Sequence, residues 1–201
     1  MDELRSVGVN LTKKINGDLF KRRDFLKGLL LEDCLIFGGC PRDLVSGITV
    51  SDIDIATSYQ SSYEHMEKFL FKSSYVKRTS RVDNNFYSTK PDWVEKVDTF
   101  WKEGHTTVQL VKTQKSLIEF LQNIDIRSCC LVVDRHGELH ETSHKAYEHA
   151  KKRLLEVRPE VPLFCEGLLE WRIKKLSVKG YKLYVNTTRQ KYLEAFKMEL
   201  A

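Results

Sequence analysis

The chain has 201 residues, with 33 Lys and Arg against 28 Asp and Glu, a formal charge of +5 and 41% hydrophobic residues, enough for one cored domain with an appended segment. Ordinary Gly and Pro numbers (10 and 4), with no repeat or low-complexity stretch, exclude a fibrous or disordered chain. Apolar runs such as Leu29-Leu30-Leu31 are too short to span a bilayer, the start Met1-Asp2-Glu3-Leu4-Arg5 lacks a secretory core, and the five cysteines form no Cys-x-x-Cys pair, so a cytoplasmic protein without a disulfide framework, zinc site or membrane partner is expected.

The first predicted element is an amphipathic helix over residues 18–31, with Asp18 as N-cap and Leu19, Phe20, Leu26, Leu29 and Leu30 on one face. A short buried strand follows at Cys34, Leu35, Ile36 and Phe37. Gly38-Gly39 ends it with backbone angles closed to other residues and bare amides suited to phosphate oxygens. Pro41 fits the first turn of a short helix, and Gly47 is its stop. Asp52-Ile53-Asp54-Ile55 then alternates as a half-buried strand does, putting both carboxylates on one face. Taken alone, an Asp-x-Asp strand is more often an exposed edge. With the glycine turn before it, the pair makes a hard-oxygen site of the kind that holds Mg²⁺ beside substrate phosphates.

These residues carry a resemblance. Gly38, Gly39, Arg42, Asp43, Gly47, Asp52, Asp54 and Thr57 are similar, in order and near-correct spacing, to the signature Gly-Gly-x-x-Arg-Asp followed by Asp-x-Asp-x-x-Thr. That signature marks the DNA polymerase β superfamily of nucleotidyltransferases, in the branch of bacterial-type poly(A) polymerases and tRNA CCA-adding enzymes. The resemblance implies that Gly38 and Gly39 cradle a triphosphate, that Asp52 and Asp54 bind Mg²⁺ or Mn²⁺ and are catalytic, and that Arg42 and Asp43 brace the loop. For Arg42 two roles stay open: phosphate contact, or a structural pair with Asp43 or Asp52.

Downstream, Tyr63, Met66, Phe69 and Leu70 give residues 62–71 a helical face, and residues 75–81 read as a short strand. Residues 84–104, with Phe86, Tyr87, Trp93, Phe100 and Trp101, read as a strand followed by an irregular or helical insertion whose aromatics either stack on a base or pack under a loop. Residues 106–111 are the next strand. In the resembled family a strand here supplies a third carboxylate; Gln109 stands in that place, a possible third metal-site position without charge. A helix at 116–122 leads into residues 123–134, which are similar to the family's Arg-Arg-Asp segment but keep only Asp125. The resemblance implies that Asp125 and Arg127 help hold the nucleotide; a turn role is the alternative for Asp125. Residues 134–138 form a hairpin turn, which keeps His136, His140 and His144 off a common helix.

A helix is expected over residues 143–157, then, after Pro159 and Pro162, a second one with an apolar stripe of Leu168, Leu169, Ile173 and Leu176. Lys174, Lys175 and Lys179 lie off the stripe, and Gly180 is the cap. It resembles the family's neck helix, whose Glu-Asp-x-x-Arg selects the base; of that motif only Glu166 is kept. Residues 145–201 hold 13 Lys and Arg against 7 Asp and Glu, an excess of +6, with Trp171, Tyr181, Tyr184 and Tyr192 among them, a mixture found on RNA-binding surfaces.

The expected architecture is therefore mixed α/β: a polymerase β-like nucleotidyltransferase head over residues 1–142, with a short mixed sheet and flanking helices, and a basic helical extension over 143–201. The implied activity is Mg-dependent transfer of a nucleoside monophosphate from an NTP, such as ATP, to an acceptor hydroxyl, as in tRNA processing at an RNA 3′ end, with release of pyrophosphate. The alternatives are a catalytically degenerate nucleotide- or RNA-binding module and a small toxin-like enzyme modifying a protein or small molecule.

Overall fold

A computed structural model describes residues 4–21, 23–78, 93–114, 116–158 and 166–184. The alternating pattern predicted for the carboxylate segment is realised in an eight-stranded mixed sheet. In chain order the strands are β1 (Arg5–Asn10), β2 (Leu35–Phe37), β3 (Asp52–Thr57), β4 (Val76–Arg78), β5 (Val94–Trp101), β6 (Thr107–Thr113), β7 (Leu131–Val133) and β8 (Glu138–Glu141), and they lie side by side as β1-β8-β7-β2-β3-β6-β5-β4. All neighbours are antiparallel except β3 and β6, which run parallel. The sheet is thus larger than the short one expected, chiefly because of β1. Its alternating Val7 and Val9 are partly buried against the core while Arg5, Ser6, Gly8 and Asn10 are exposed.

Among the described residues the α-helices are α1 (Phe25–Leu29), α2 (Gly39–Ser46), α3 (Gln60–Lys72), α4 (Leu117–Gln122), α5 (Ala146–Lys151) and α6 (Glu166–Val178). One sheet face is apolar: Ile36, Ile53, Ile55, Val108, Leu110 and Phe100 are almost wholly shielded and adjacent in register. Tyr63 and Met66 of α3 are buried with them. On that face, two residues before Phe100, the buried Asp98 accepts a hydrogen bond from Tyr63 Oη at 2.6 Å and pairs with Lys77 at 2.7 Å and Lys96 at 3.0 Å. Burial alone would raise the Asp98 carboxyl, but the bonds from Lys77, Tyr63 and Lys96 outweigh it and hold it below the usual range. Its contribution is therefore complete above the unfolded value near 4 and lost as pH falls through the lowered folded value. Asp98→Ala is expected to cost about 2–4 kcal/mol in urea unfolding at pH 7, less at pH 3; a cost under about 0.5 kcal/mol would show that the pairs merely offset desolvation.

Several elements differ from expectation. The helix over 18–31 is two pieces, a π-helical turn at Lys14–Leu19 and α1. Lys21 at φ +52 breaks it, the Phe20 and Phe25 rings stack at 3.8 Å, and Asn16 bridges the gap, donating to Arg23 O and accepting from Leu26 N. Asp18 consequently lies inside the turn and caps nothing. Residues 94–101 form a strand, not an insertion, while Phe86, Tyr87 and residues 79–81 lie outside the described residues. The predicted helix 143–157 is only α5, because Arg153 takes φ +54 and the chain turns into β9 (Leu154–Leu155), which pairs in parallel with β10 (Lys182–Leu183). Cys34, Cys40, Cys129 and Cys130 are free and buried. No helix among the described residues is long and apolar enough to cross a membrane.

Candidate active site

The site is built where β2 meets α2. Gly38 takes φ +71 and ψ −115, a conformation strained for any side chain, and a Cβ there would lie 4.0 Å from Asp54 Oδ2. The glycine turn therefore runs directly over β3. Pro41 falls in the first turn of α2, where no intrahelical N–H is needed. Gly47, left-handed at φ +68, ends the helix and returns the chain toward β3.

On β3, Asp52 and Asp54 are half-buried on one face and Ile53 and Ile55 are fully buried on the other. The parallel register sets Asp54 against Gln109 of β6, which in turn lies against Thr99 of β5. Gln109 thus stands beside the carboxylates. The nearest acid of β5, Asp98, belongs to the opposite face with Tyr63. The strands flanking the pair on this side supply an amide and a hydroxyl, and no third carboxylate.

Arg42 and Asp43 form a buried cluster. Asp43 Oδ1 accepts from Arg42 at 2.6–2.7 Å, Asp43 Oδ2 pairs with Lys179 at 2.6 Å, and Arg42 also donates to Cys129 Sγ at 3.1 Å and stacks 5.5 Å from the Tyr181 ring centroid. Of its two open roles the structure shows the pair with Asp43, and Arg42 also lines the cavity described next. Burial disfavours its charge, but Cys129, Asp43 and Tyr181 outweigh that and hold the guanidinium above its usual range.

A cavity of about 220 Å³ opens over the carboxylates. One part of its wall is Gly38, Gly39, Arg42, Asp52, Asp54 and Gln109; another is apolar, with Phe37, Ile124, Ile126 and Leu176; and α6 adds Trp171, Arg172 and Lys175. α6 sits there because Leu169 and Leu176 are buried in the core, and because the segment after it is tied to α2. Tyr181 Oη lies 2.5 Å from Ser46 Oγ, and Lys179 reaches Asp43.

Asp125 and Arg127 have different surroundings. Asp125 forms an ion pair with Arg172 and so holds a cavity-lining guanidinium, without lining the cavity itself. Arg127 is committed to Glu156 at 2.6 Å, to Ser143 Oγ at 2.8 Å and to the His144 carbonyl, away from the cavity lining. His136, His140 and His144 lie in a turn, in β8 and in a second turn. Among the described residues no group of three or more His, Cys, Asp or Glu is placed to hold a metal.

Each carboxylate of the pair disfavours the charge of the other. Burial, reinforced by the neighbouring Asp52 charge, pushes the Asp54 carboxyl up to about 7, although Lys175, Arg172 and Arg42 pull it down. Two hard carboxylates that resist shared ionisation, with the Gln109 amide oxygen adjacent, fit one Mg²⁺ or Mn²⁺ as a donor set. Sequence reasoning missed Arg172 and Cys129 as lining residues and set Lys175 aside as merely off the apolar stripe. The available signal was their spacing: Trp171, Arg172, Lys175 and Leu176, at i, i+1, i+4 and i+5, share one helical face.

By sequence, no protein-family model and no curated protein matches the chain. By structure, it is similar to a CCA-adding enzyme in complex with CTP (16% identity, TM-score 0.66, 100% of this chain and 49% of the other). It is also similar to the Thermotoga maritima CCA-adding enzyme complexed with tRNA (15%, 0.63, 92% and 44%) and to a CCA-adding enzyme complex with ATP (16%, 0.53, 77% and 37%). This chain spans less than half the length of those proteins. At such identities the likeness is one of fold alone: the chain shares its fold with part of these CCA-adding enzymes.

Proposed function

We propose that this protein is a divalent-metal-dependent nucleotidyltransferase that moves a nucleoside monophosphate from an NTP to an acceptor hydroxyl. The observation that carries the reading is the placement of Asp52 and Asp54 on one strand face beneath the Gly38 turn, in a cavity walled on another side by Arg172 and Lys175. Asp52 and Asp54 would hold Mg²⁺ or Mn²⁺, with Gln109 contributing an amide oxygen, and the Gly38 and Gly39 backbone would receive the phosphates. When bound, the metal supplies charge neutralisation at the phosphates and a more acidic attacking hydroxyl. The hydroxyl loses its proton to solvent water as its oxygen bonds the α-phosphorus and the bond from that phosphorus to pyrophosphate breaks. Arg172, fixed by Asp125, and Lys175 place positive charge where phosphate charge must be borne. An RNA 3′ end, as in tRNA, is the acceptor we favour, because Lys174, Lys175 and Lys182 are exposed around the same segment.

A second reading, a nucleotide-binding module without turnover, is favoured by one specific observation: the neutral Gln109 beside Asp54. Labelled NTPs incubated with Mg²⁺ and RNA, followed by labelled product and pyrophosphate release, separate the two. Turnover by the wild type supports the enzyme. In that case Gln109→Glu is expected to lower the Mg²⁺ concentration for half-maximal rate by about tenfold, the effect of roughly one added charge-assisted ligand contact. NTP binding without pyrophosphate release supports the module, and turnover gained only in Gln109→Glu would trace its loss to that position.

A further inference from the structure

Trp171 is the feature of the cavity that packing does not explain. α6 is anchored by Leu169 and Leu176, which are 7% and 2% exposed, whereas Trp171 on the cavity face is 54% exposed. The largest apolar side chain in the alphabet is thus left mostly in water at the wall of a cavity, next to Arg172 and one turn before Lys175. Leaving such a ring wet forfeits the stabilisation its burial would bring, unless something planar covers it. The Lys175 ammonium lies 5.2 Å from the indole centroid, which fixes the ring by a cation–π contact and occupies part of one face. Arg172 is locked to Asp125 and is not available to swing over the indole.

Resting on the nucleotide reading above, we propose that Trp171 is the base platform of the site: the indole stacks on the base of the incoming NTP while its phosphates lie toward Asp52, Asp54 and the Gly38 turn. The cavity is continuous between these groups, and Ile124 and Ile126 offer the apolar wall that a base, but not a phosphate, prefers. Stacking uses the π face that every base has, so Trp171 contributes affinity common to ATP and CTP. A free polyphosphate has no ring, and gains nothing from it.

The test is calorimetric titration of the full chain with Mg²⁺ and either ATP, CTP or inorganic tripolyphosphate. For Trp171→Ala, ATP and CTP affinity are expected to fall about tenfold to hundredfold while tripolyphosphate affinity stays within about twofold of wild type. Trp171→Phe keeps most of the nucleotide affinity. Unchanged ATP and CTP binding in Trp171→Ala overturns the proposal. So does an equal loss of all three ligands, which would mean that Trp171 only holds α6 in place. If the wild type binds none of the three, the nucleotide reading itself falls, and that result is distinct from a wild type that binds all three while Trp171→Ala changes nothing.

Discussion

Asp54→Asn is expected to lower pyrophosphate release by about a thousandfold or more and, at the same time, to make the metal-free protein more stable. Loss of activity follows from the proposed role: one of two carboxylates for the metal is gone, and electrostatic groups of this kind each supply about 10²–10³ in rate, more where a metal depends on them. The gain in stability follows from the native environment. Burial and the Asp52 charge raise the Asp54 carboxyl to about 7, above its unfolded value near 4, so the folded state binds more protons than the unfolded state between those two pH values. Stability of the metal-free protein therefore falls as pH rises from about 4 to about 7, and Asn, which carries no charge, removes this slope. The cost recovered near pH 8 is about 2–4 kcal/mol, or roughly 5–10 °C in the thermal midpoint for a chain of this size. Melts in EDTA at pH 5 and pH 8, for wild type and variant, measure it directly. Equal midpoint shifts at both pH values would mean that the Asp54 charge is not what burdens the fold, and full activity in the variant would remove it from the proposed site.

Asp43→Ala is expected to destabilise the protein by about 3–5 kcal/mol, a large part of a typical domain's stability. The carboxylate is 2% exposed and is the shared anion of Arg42, itself 6% exposed, and of Lys179. Removing it leaves a buried guanidinium, in contact with Cys129 and the Tyr181 ring, without the carboxylate it is paired with, which costs more than the pair itself contributes. The effect also reaches the cavity. Lys179 follows α6 directly, so the loss frees one of the ties between α6 and α2 that hold Trp171, Arg172 and Lys175 over the carboxylates. Asp43→Asn, which keeps an acceptor for Arg42, is expected to lose less. Urea unfolding compares the two, and a loss below about 1 kcal/mol for Ala would show that water replaces the carboxylate readily.

Local chemistry makes much of the head legible in the chain itself. The stretch from Phe37 to Thr57 is dense in residues with few conformational options: a glycine that must take φ +71, a proline confined to a first helical turn, a glycine at φ +68, and a period of two that sends Asp52 and Asp54 one way and Ile53 and Ile55 the other. In such a segment backbone sterics alone nearly dictate strand, turn, helix and strand. Weaker periodicity misleads. Residues 18–31 have helical spacing, but the stacking of Phe20 on Phe25 and the bridging Asn16 favour a break that no local rule announces. The helix expected over 143–157 stops at Lys151 because residues 154–155 find a strand partner at 182–183, nearly thirty positions on.

By itself, then, the sequence determined the glycine turn and the alternation that pairs the carboxylates, since each depends on neighbours within a few bonds. Tertiary structure decided what surrounds them. Which strand lies beside Asp54, whether Asp98 faces the site or Tyr63, that Arg42 is bound to Asp43, and that Trp171, Arg172 and Lys175 wall the same cavity all depend on register and on the docking of α6 against α2. Those contacts join residues as much as 136 positions apart, and they are selected by burial and charge pairing summed over the whole core, a quantity that no short window of sequence contains.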